Sequence, residues 1–197
     1  MSPVSRFSVR WRSIGVLLTH DGLAPPGFTE PDGDMRALAS GKAVLIRELQ
    51  PSDRILLASI LENLGPDSRT QRFLAPRPVL SPRDIAAATA VDGLNHAGVI
   101  ALANSSPIGA AHYVRTADPE VAEVAVEVVD NWQRRGVGRL LVAEARRSAK
   151  RTGFRHLEWF AFETNRAVSA LAYDLQDIRR TRVGGGVVRY SAELSGG

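Results

Sequence analysis

Two stretches of this chain carry residue types whose spacing suits chemistry. The first is Gln133-Arg134-Arg135-Gly136-Val137-Gly138, which follows an alternating apolar run and opens into an amphipathic segment. A helix entry leaves backbone N–H groups without intrahelical partners and carries the positive end of the helix dipole. Glycines at 136 and 138 have no Cβ, so a bulky anion can approach that backbone closely. Arg134, Arg135 and Arg139 add fixed charge. The pattern reads as a pyrophosphate cradle, with an ordinary tight turn as the alternative. It lacks the third glycine and downstream acid of a dinucleotide fingerprint, and the Gly-Lys-Ser/Thr of a Walker loop.

The second stretch is Ala122-Glu123-Val124-Ala125-Val126-Glu127-Val128-Val129. Strand alternation puts Glu123, Ala125 and Glu127 on one face and Val124, Val126 and Val128 on the other. Acids on the covered face of a central strand suit proton transfer, because partial burial raises a carboxyl pKa towards the working pH. A bulge that turns one acid outward, or an arginine that pairs with it, is the competing account.

These stretches need a scaffold, and 197 residues with 44% hydrophobic content suffice for one domain with a substantial core. Residues 1–40 are expected to be a partly disordered extension or linker, since 21–34 are rich in Pro, Gly and acids without any period. The domain proper is expected over 41–197. Residues 43–49 read as a strand. Pro51-Ser52-Asp53 starts a helix with Leu56, Leu57, Ile60, Leu61 and Leu64 on its buried face, ended by Gly65-Pro66. Ser68 to Leu74 then reads as a connection to a second helix over 81–90, where Ser81 and Asp84 have capping-box spacing. Residues 98–103 and 107–114 read as strands joined by a turn at Asn104-Ser105-Ser106. The central strand spans 122–129. The cradle helix spans 136–152 and buries Val137, Leu140, Leu141, Ala145 and Ala149. A strand over 155–162, a helix over 165–178 with Val168, Leu171, Ala172, Leu175 and Ile178 on one side, and a strand over 187–194 complete the order. The predicted fold is α/β, a mixed and mostly antiparallel sheet flanked by helices.

Composition removes several function classes. No cysteine is present, which excludes disulfides, cysteine metal sites and a cysteine nucleophile. The histidines His96, His112 and His156 form no metal-ligand spacing, so no metal is expected; His112 and Trp132 read as packing residues. Net charge is +4, but the arginines are scattered without an aromatic-interleaved stripe, so no nucleic-acid partner is expected. The excess suits an anionic cofactor. No apolar run reaches membrane-spanning length and the N-terminus lacks a signal-peptide core, so the expectation is a cytoplasmic monomer or homodimer.

The order strand, Gln-x-x-Gly-x-Gly, helix resembles the acetyl-CoA-binding motif of the GNAT superfamily of N-acetyltransferases. The resemblance spans about 43–194 and is strongest over 123–165. The wording AEVAV-x-V-x-D-x-W-Q-x-R-G-x-G, with S-R-x-x-R-F-L upstream, is similar to the bacterial protein-lysine acetyltransferase branch. It implies direct acetyl transfer from acetyl-CoA to an amine, with a protein lysine preferred and a small amine as the alternative. A non-catalytic acyl-CoA-binding module is the reading from another class. The resemblance implies Glu123 as general base, with Glu127 second. It assigns the pantetheine arm to the backbone of Val128 and Val129, and the pyrophosphate to the Gln133–Gly138 turn. Asn165 would both cap its helix and contact the cofactor. The family's general-acid tyrosine falls on Ala172, so Tyr173, one step round the helix, water or the departing amine proton would take that role. The segment between the first two helices is expected to wall the acceptor cleft. The family's usual Gly-Phe is replaced by Gln176-Asp177.

Overall fold

A computed structural model describes residues 33–76, 80–173 and 178–194. Its centre is an eight-stranded sheet. In chain order the elements are β1 (Asp34–Ala37), β2 (Ala43–Glu48), α1 (Arg54–Glu62), α2 (Pro66–Phe73), α3 (Pro82–Ala88), β3 (His96–Ala103), β4 (Ser106–Arg115) and β5 (Val121–Val128). There follow α4 (Val137–Arg151), β6 (His156–Phe162), α5 (Arg166–Tyr173), β7 (Ile178–Gly184) and β8 (Val187–Glu193). The strand order is β1-β2-β3-β4-β5-β6-β8-β7. Only β5 and β6 run parallel; the other neighbours are antiparallel.

Local sequence accounts for most of these elements. Every residue of β3 is buried, as its unbroken run of small and apolar side chains requires. Asn104 and Ser105 both take positive φ, 48° and 63°, the backbone of a two-residue hairpin whose twist matches its strands. Ser81 and Asp84 exchange capping-box bonds, Asp84 N–H to Ser81 Oγ at 3.2 Å and Ser81 N–H to Asp84 Oδ2 at 3.0 Å. In α4 the buried stripe is Val137, Leu141, Ala145, Ser148 and Ala149, with Lys150 and Arg151 at the negative end. Leu140, expected in that stripe, is half-buried. The core joins α1 (Leu57, Ile60) and α4 (Leu141) across β2, β3 and β4 (Val44, Ile46, Ile100, Leu102, Ile108). Each such Leu or Ile contributes about 2 kcal/mol of burial.

Three expectations change. The segment around Ser68–Phe73, read as a connection, lies in α2. That helix buries no residue, so no apolar period marks it; Pro66 at its first turn and tertiary bonds hold it. Ile178, assigned to the preceding helix, opens β7 instead, and α5 ends at Tyr173. The Gly184-Gly185-Gly186 turn therefore closes a hairpin. Leu175, Gln176 and Asp177 lie outside the described residues. Within the stretch expected as an extension, residues 34–37 form β1 and pair with β2; residues 1–32 lie outside the described residues.

Candidate active site

The site begins where the sheet divides. β5 and β6 share three residue pairs, Val121 with His156, Ala122 with Leu157 and Glu123 with Glu158. Past Glu123 the strands part. On its other edge β5 stays paired to β4 as far as Val128 opposite Gly109, and Val129 N–H donates to Ile108 O at 3.0 Å. Antiparallel alternation then aims the backbone groups of Val124, Val126 and Val128 towards the opening. Of the two valines expected to hold a pantetheine arm, Val129 thus spends its N–H within the sheet. Val128 faces the opening, and its carbonyl accepts from Gln133 Nε2 at 3.0 Å.

The turn into α4 has the form of an anion site. Arg134 and Gly136 both take positive φ, 57° and 90°. Gly136 is the N-cap, without a side-chain cap, and no acid stands in the first turn. The first amide to bond back within the helix is that of Leu140, to Gly136 O at 3.1 Å. The N–H groups of Val137 and Gly138 stand in the first turn, where no helical acceptor precedes them, and the dipole adds positive charge beside them. A Cβ on Gly138 would lie 3.8 Å from both Val128 Cγ2 and Leu171 Cδ1, so this glycine sits between the end of β5 and α5. Arg134, Arg135 and Arg139 are exposed at this helix entry; Arg135 lies 5.6 Å from the Trp132 ring centre and Lys42 5.3 Å from it. Trp132 is a platform for cations.

Gln133 sits differently from the expectation. Its Nε2 donates to Val128 O and Ser68 Oγ, both at 3.0 Å, and lies 3.1 Å from Asp130 Oδ1. Asp130 in turn accepts from Ser68 Oγ at 2.7 Å and from Gly65 N–H at 3.2 Å. Gln133 and Asp130 are thus a strut between the end of β5 and the start of α2.

The two acids of β5 have unlike surroundings. Glu127 is buried, at 3% exposure. Its Oε2 accepts from Arg72 Nε at 2.9 Å, and its Oε1 lies 2.9 Å from His112 Nε2 without a hydrogen bond's alignment. Arg72 Nη2 is 3.1 Å from the same Nε2, and His112 Nδ1 is 2.7 Å from His96 Nε2. Burial pushes the Glu127 carboxyl up, but His112 and then Arg72 outweigh it and hold the pKa at about 2. Burial and then the neighbouring His112 lower His96 to about 4. Glu123, half-buried, moves the other way: desolvation raises its pKa, Glu158 adds to the rise, and Arg72 opposes it. A carboxyl whose proton affinity is raised is the better proton acceptor of the two.

Asn165 caps α5, its Oδ1 accepting from Val168 N–H at 3.1 Å. Ala172 is buried with Ala161, Val188 and Tyr190. Tyr173 closes α5, and its side chain lies outside the described residues. In the sequence Ser68, Arg72 and Asp130 stand out only as letters of the two motifs and His112 as a packing residue, while Glu158 carries no signal of its own. Glu158 becomes visible only through strand register. Among the described residues no helix is long and apolar enough to cross a membrane.

Residues 65–173, more than half of the chain, match the Acetyltransferase (GNAT) family. The chain is 27% identical over 150 residues to acetyltransferase PA5475 of Pseudomonas aeruginosa, covering 73% of this chain and 81% of that one. Its fold is similar to the GNAT domain of S. lividans PAT, with a TM-score of 0.73 at 27% identity over 82% of this chain and 96% of that one. It is also similar to yncA of Salmonella typhimurium, solved with its cofactor acetyl-CoA, with a TM-score of 0.63 at 19% identity over 77% and 94%. The uncapped helix entry beside a parted sheet fits a donor that is both anionic and extended, and with the family match it leads to one conclusion: the chain belongs to the GNAT acetyltransferase family and is an acetyl-CoA-dependent N-acetyltransferase.

Proposed function

We propose that the acceptor is a protein lysine side chain and that Glu123 is the general base of a direct transfer. The observation that carries this reading is the place of Glu123. It stands at the last rung before β5 and β6 separate, on the face of β5 that Arg72 of α2 approaches. The opposite face carries Val124 and Val126, packed towards α4. Donor and acceptor would then enter from opposite faces and meet at the opening.

Acetyl-CoA supplies the thioester. The amides of Val137 and Gly138, with charge from Arg134, Arg135 or Arg139, would hold its pyrophosphate, and Val128 N–H is the backbone donor closest in sequence to that cradle on the opening side of β5. Asn165 would add a contact from the start of α5. Glu123 takes a proton from the lysine ammonium, directly or through water, and the neutral nitrogen attacks the carbonyl as the C–S bond breaks. The acylated nitrogen then sheds its second proton, which reaches the thiolate directly or by way of Tyr173 or water. With no cysteine in the chain, a cysteine acyl-enzyme plays no part. Glu127, paired with Arg72 and ionised down to about pH 2, serves as an anchoring anion in this reading. The strand wording shared with the protein-lysine branch supports the choice of acceptor.

Glu123→Gln tests the base. Turnover of a lysine peptide should fall about 10²- to 10⁴-fold, while calorimetric affinity for acetyl-CoA stays within about twofold of wild type, because the cradle is untouched. Undiminished turnover would remove Glu123 from the role.

A further inference from the structure

Glu123 does not stand alone at the opening. The last β5–β6 rung joins it to Glu158, so two carboxylates face each other across neighbouring strands, on one face, where the sheet opens. Like charges directly opposite in a sheet destabilise it. A cation placed between the two carboxylates would relieve that repulsion. The Glu158 side chain is 20% exposed, and its ion-pair partner in the structure is Arg189 of β8 at a loose 3.9 Å.

The groups around the pair define its preference. From α2, Arg72 brings a positive charge, but its Nε is bound to Glu127 and its Nη2 lies against His112. From β4, the residue opposite Glu123 is Val114, an apolar side chain 43% exposed. From β8, Ser191 stands opposite Glu158 and Arg189 lies beyond it. The row Val114, Glu123, Glu158, Ser191 thus offers an apolar surface next to two acids.

We propose that Glu158 is a specificity residue of the acceptor subsite, pairing with Glu123 to seat a primary alkylammonium whose methylene stem lies along Val114. This inference rests on the reading of Glu123 as base. Such a subsite takes a lysine side chain within a peptide in preference to an amine that arrives uncharged. Glu158 has a second consequence, because its negative charge discourages ionisation of Glu123 and keeps that carboxyl a stronger proton acceptor.

Two probes separate this role from a structural one. They are Nα-acetyl-lysine amide, cationic at neutral pH, and an aniline, which is not. Glu158→Gln should raise the KM of the lysine amide about fivefold, the scale of one partly exposed ion pair, and leave that of the aniline unchanged. The acid limb of its kcat/KM profile should move to lower pH, since Glu123 loses a neighbouring anion. Arg189→Gln, which frees Glu158 of its loose partner, should lower the lysine amide KM about twofold. Unchanged KM and pH limb in Glu158→Gln, or equal losses with both probes, would overturn the proposal. If Glu123→Gln is inactive while Glu158→Gln behaves as wild type, only the Glu158 role falls; an active Glu123→Gln sinks the base and this subsite together.

Discussion

Glu123 and Glu127 occupy one strand and one face, two strand repeats apart, yet they sit in different chemical worlds. Glu127 lies where β5 is flanked by β4 and covered by α2, and Arg72 and His112 converge on it. Glu123 lies at the margin, where β6 turns away and the residue across the last rung is another acid. The first has its proton affinity driven down by opposite charge, the second has it driven up by desolvation and like charge. Residue type and strand phase are identical, so the difference belongs entirely to the neighbours. Roles within the strand follow from which helix and which strand each acid meets.

The comparison can be broken most severely at Glu127. Glu127→Gln keeps the shape but removes the anion between Arg72 and His112. Leaving a buried charge unpaired costs about 3 kcal/mol, so denaturant or thermal unfolding should show a fall in Tm of several degrees. Acetyl transfer by the protein that remains folded should persist, opposite to the pattern at Glu123. A Glu127→Gln protein as stable as wild type would deny the anchor.

Acid titration sharpens the contrast with a smaller effect. His96 stays neutral in the fold down to about pH 4, whereas an unfolded histidine takes its proton near 6.5. Stability from that site is full above about 6.5 and is lost as pH falls to 4. Glu127 adds a second loss, from its unfolded value of 4.5 down to about 2. Glu123 has the opposite slope: its raised pKa makes the ionised form costly in the fold, so lowering pH through its folded value relieves that cost. Urea unfolding across pH should show the lower loss abolished in Glu127→Gln and retained in Glu123→Gln. The smallest effect is the stability of Glu123→Gln at pH 7, expected to rise by about 1 kcal/mol as the costly charge disappears; a fall would mean that Glu123 is held by an ion pair.

The sequence carried the parts of this site that local physics encodes. Glycine spacing marked the helix entry, alternation put both acids on one face, and Ser81 with Asp84 announced a cap that the structure contains. Elements without a buried face escaped. The polar helix α2 buries none of its side chains, and β1 and β7 are edge strands with mostly exposed residues, so neither period rises above a loop's. These elements exist because of tertiary bonds: α2 through Asp130, Ser68 and Arg72, β7 through its ladder with β8. The partners of the acids come from α2, β4 and β6, at sequence separations of 55 for Arg72–Glu127 and 40 for Arg72–His112. No local pattern specifies such distances. Gln133 shows the same limit, since its side-chain bonds to Ser68 and Val128 bridge α2 and the end of β5, a link that its place in the motif does not announce.

The three-rung seam between β5 and β6 bears on how the molecule comes apart. Strands β1–β5 carry α1 and α4 on them, while β6, β7 and β8 with α5 lie beyond the seam, tied across it by the buried cluster of Tyr113, Val124, Ala149, Phe154, Leu157 and Leu194. With so short a ladder, that cluster carries most of the coupling between the two sides, and past Glu123 the edge of β6 has less to hold it against local opening. An extended guest bonded along Val124–Val128 would act as a temporary strand, joining the two sides. Occupancy would then be written into amide exchange far from the cradle, slowing it in β6 and β8 at residues the guest never touches.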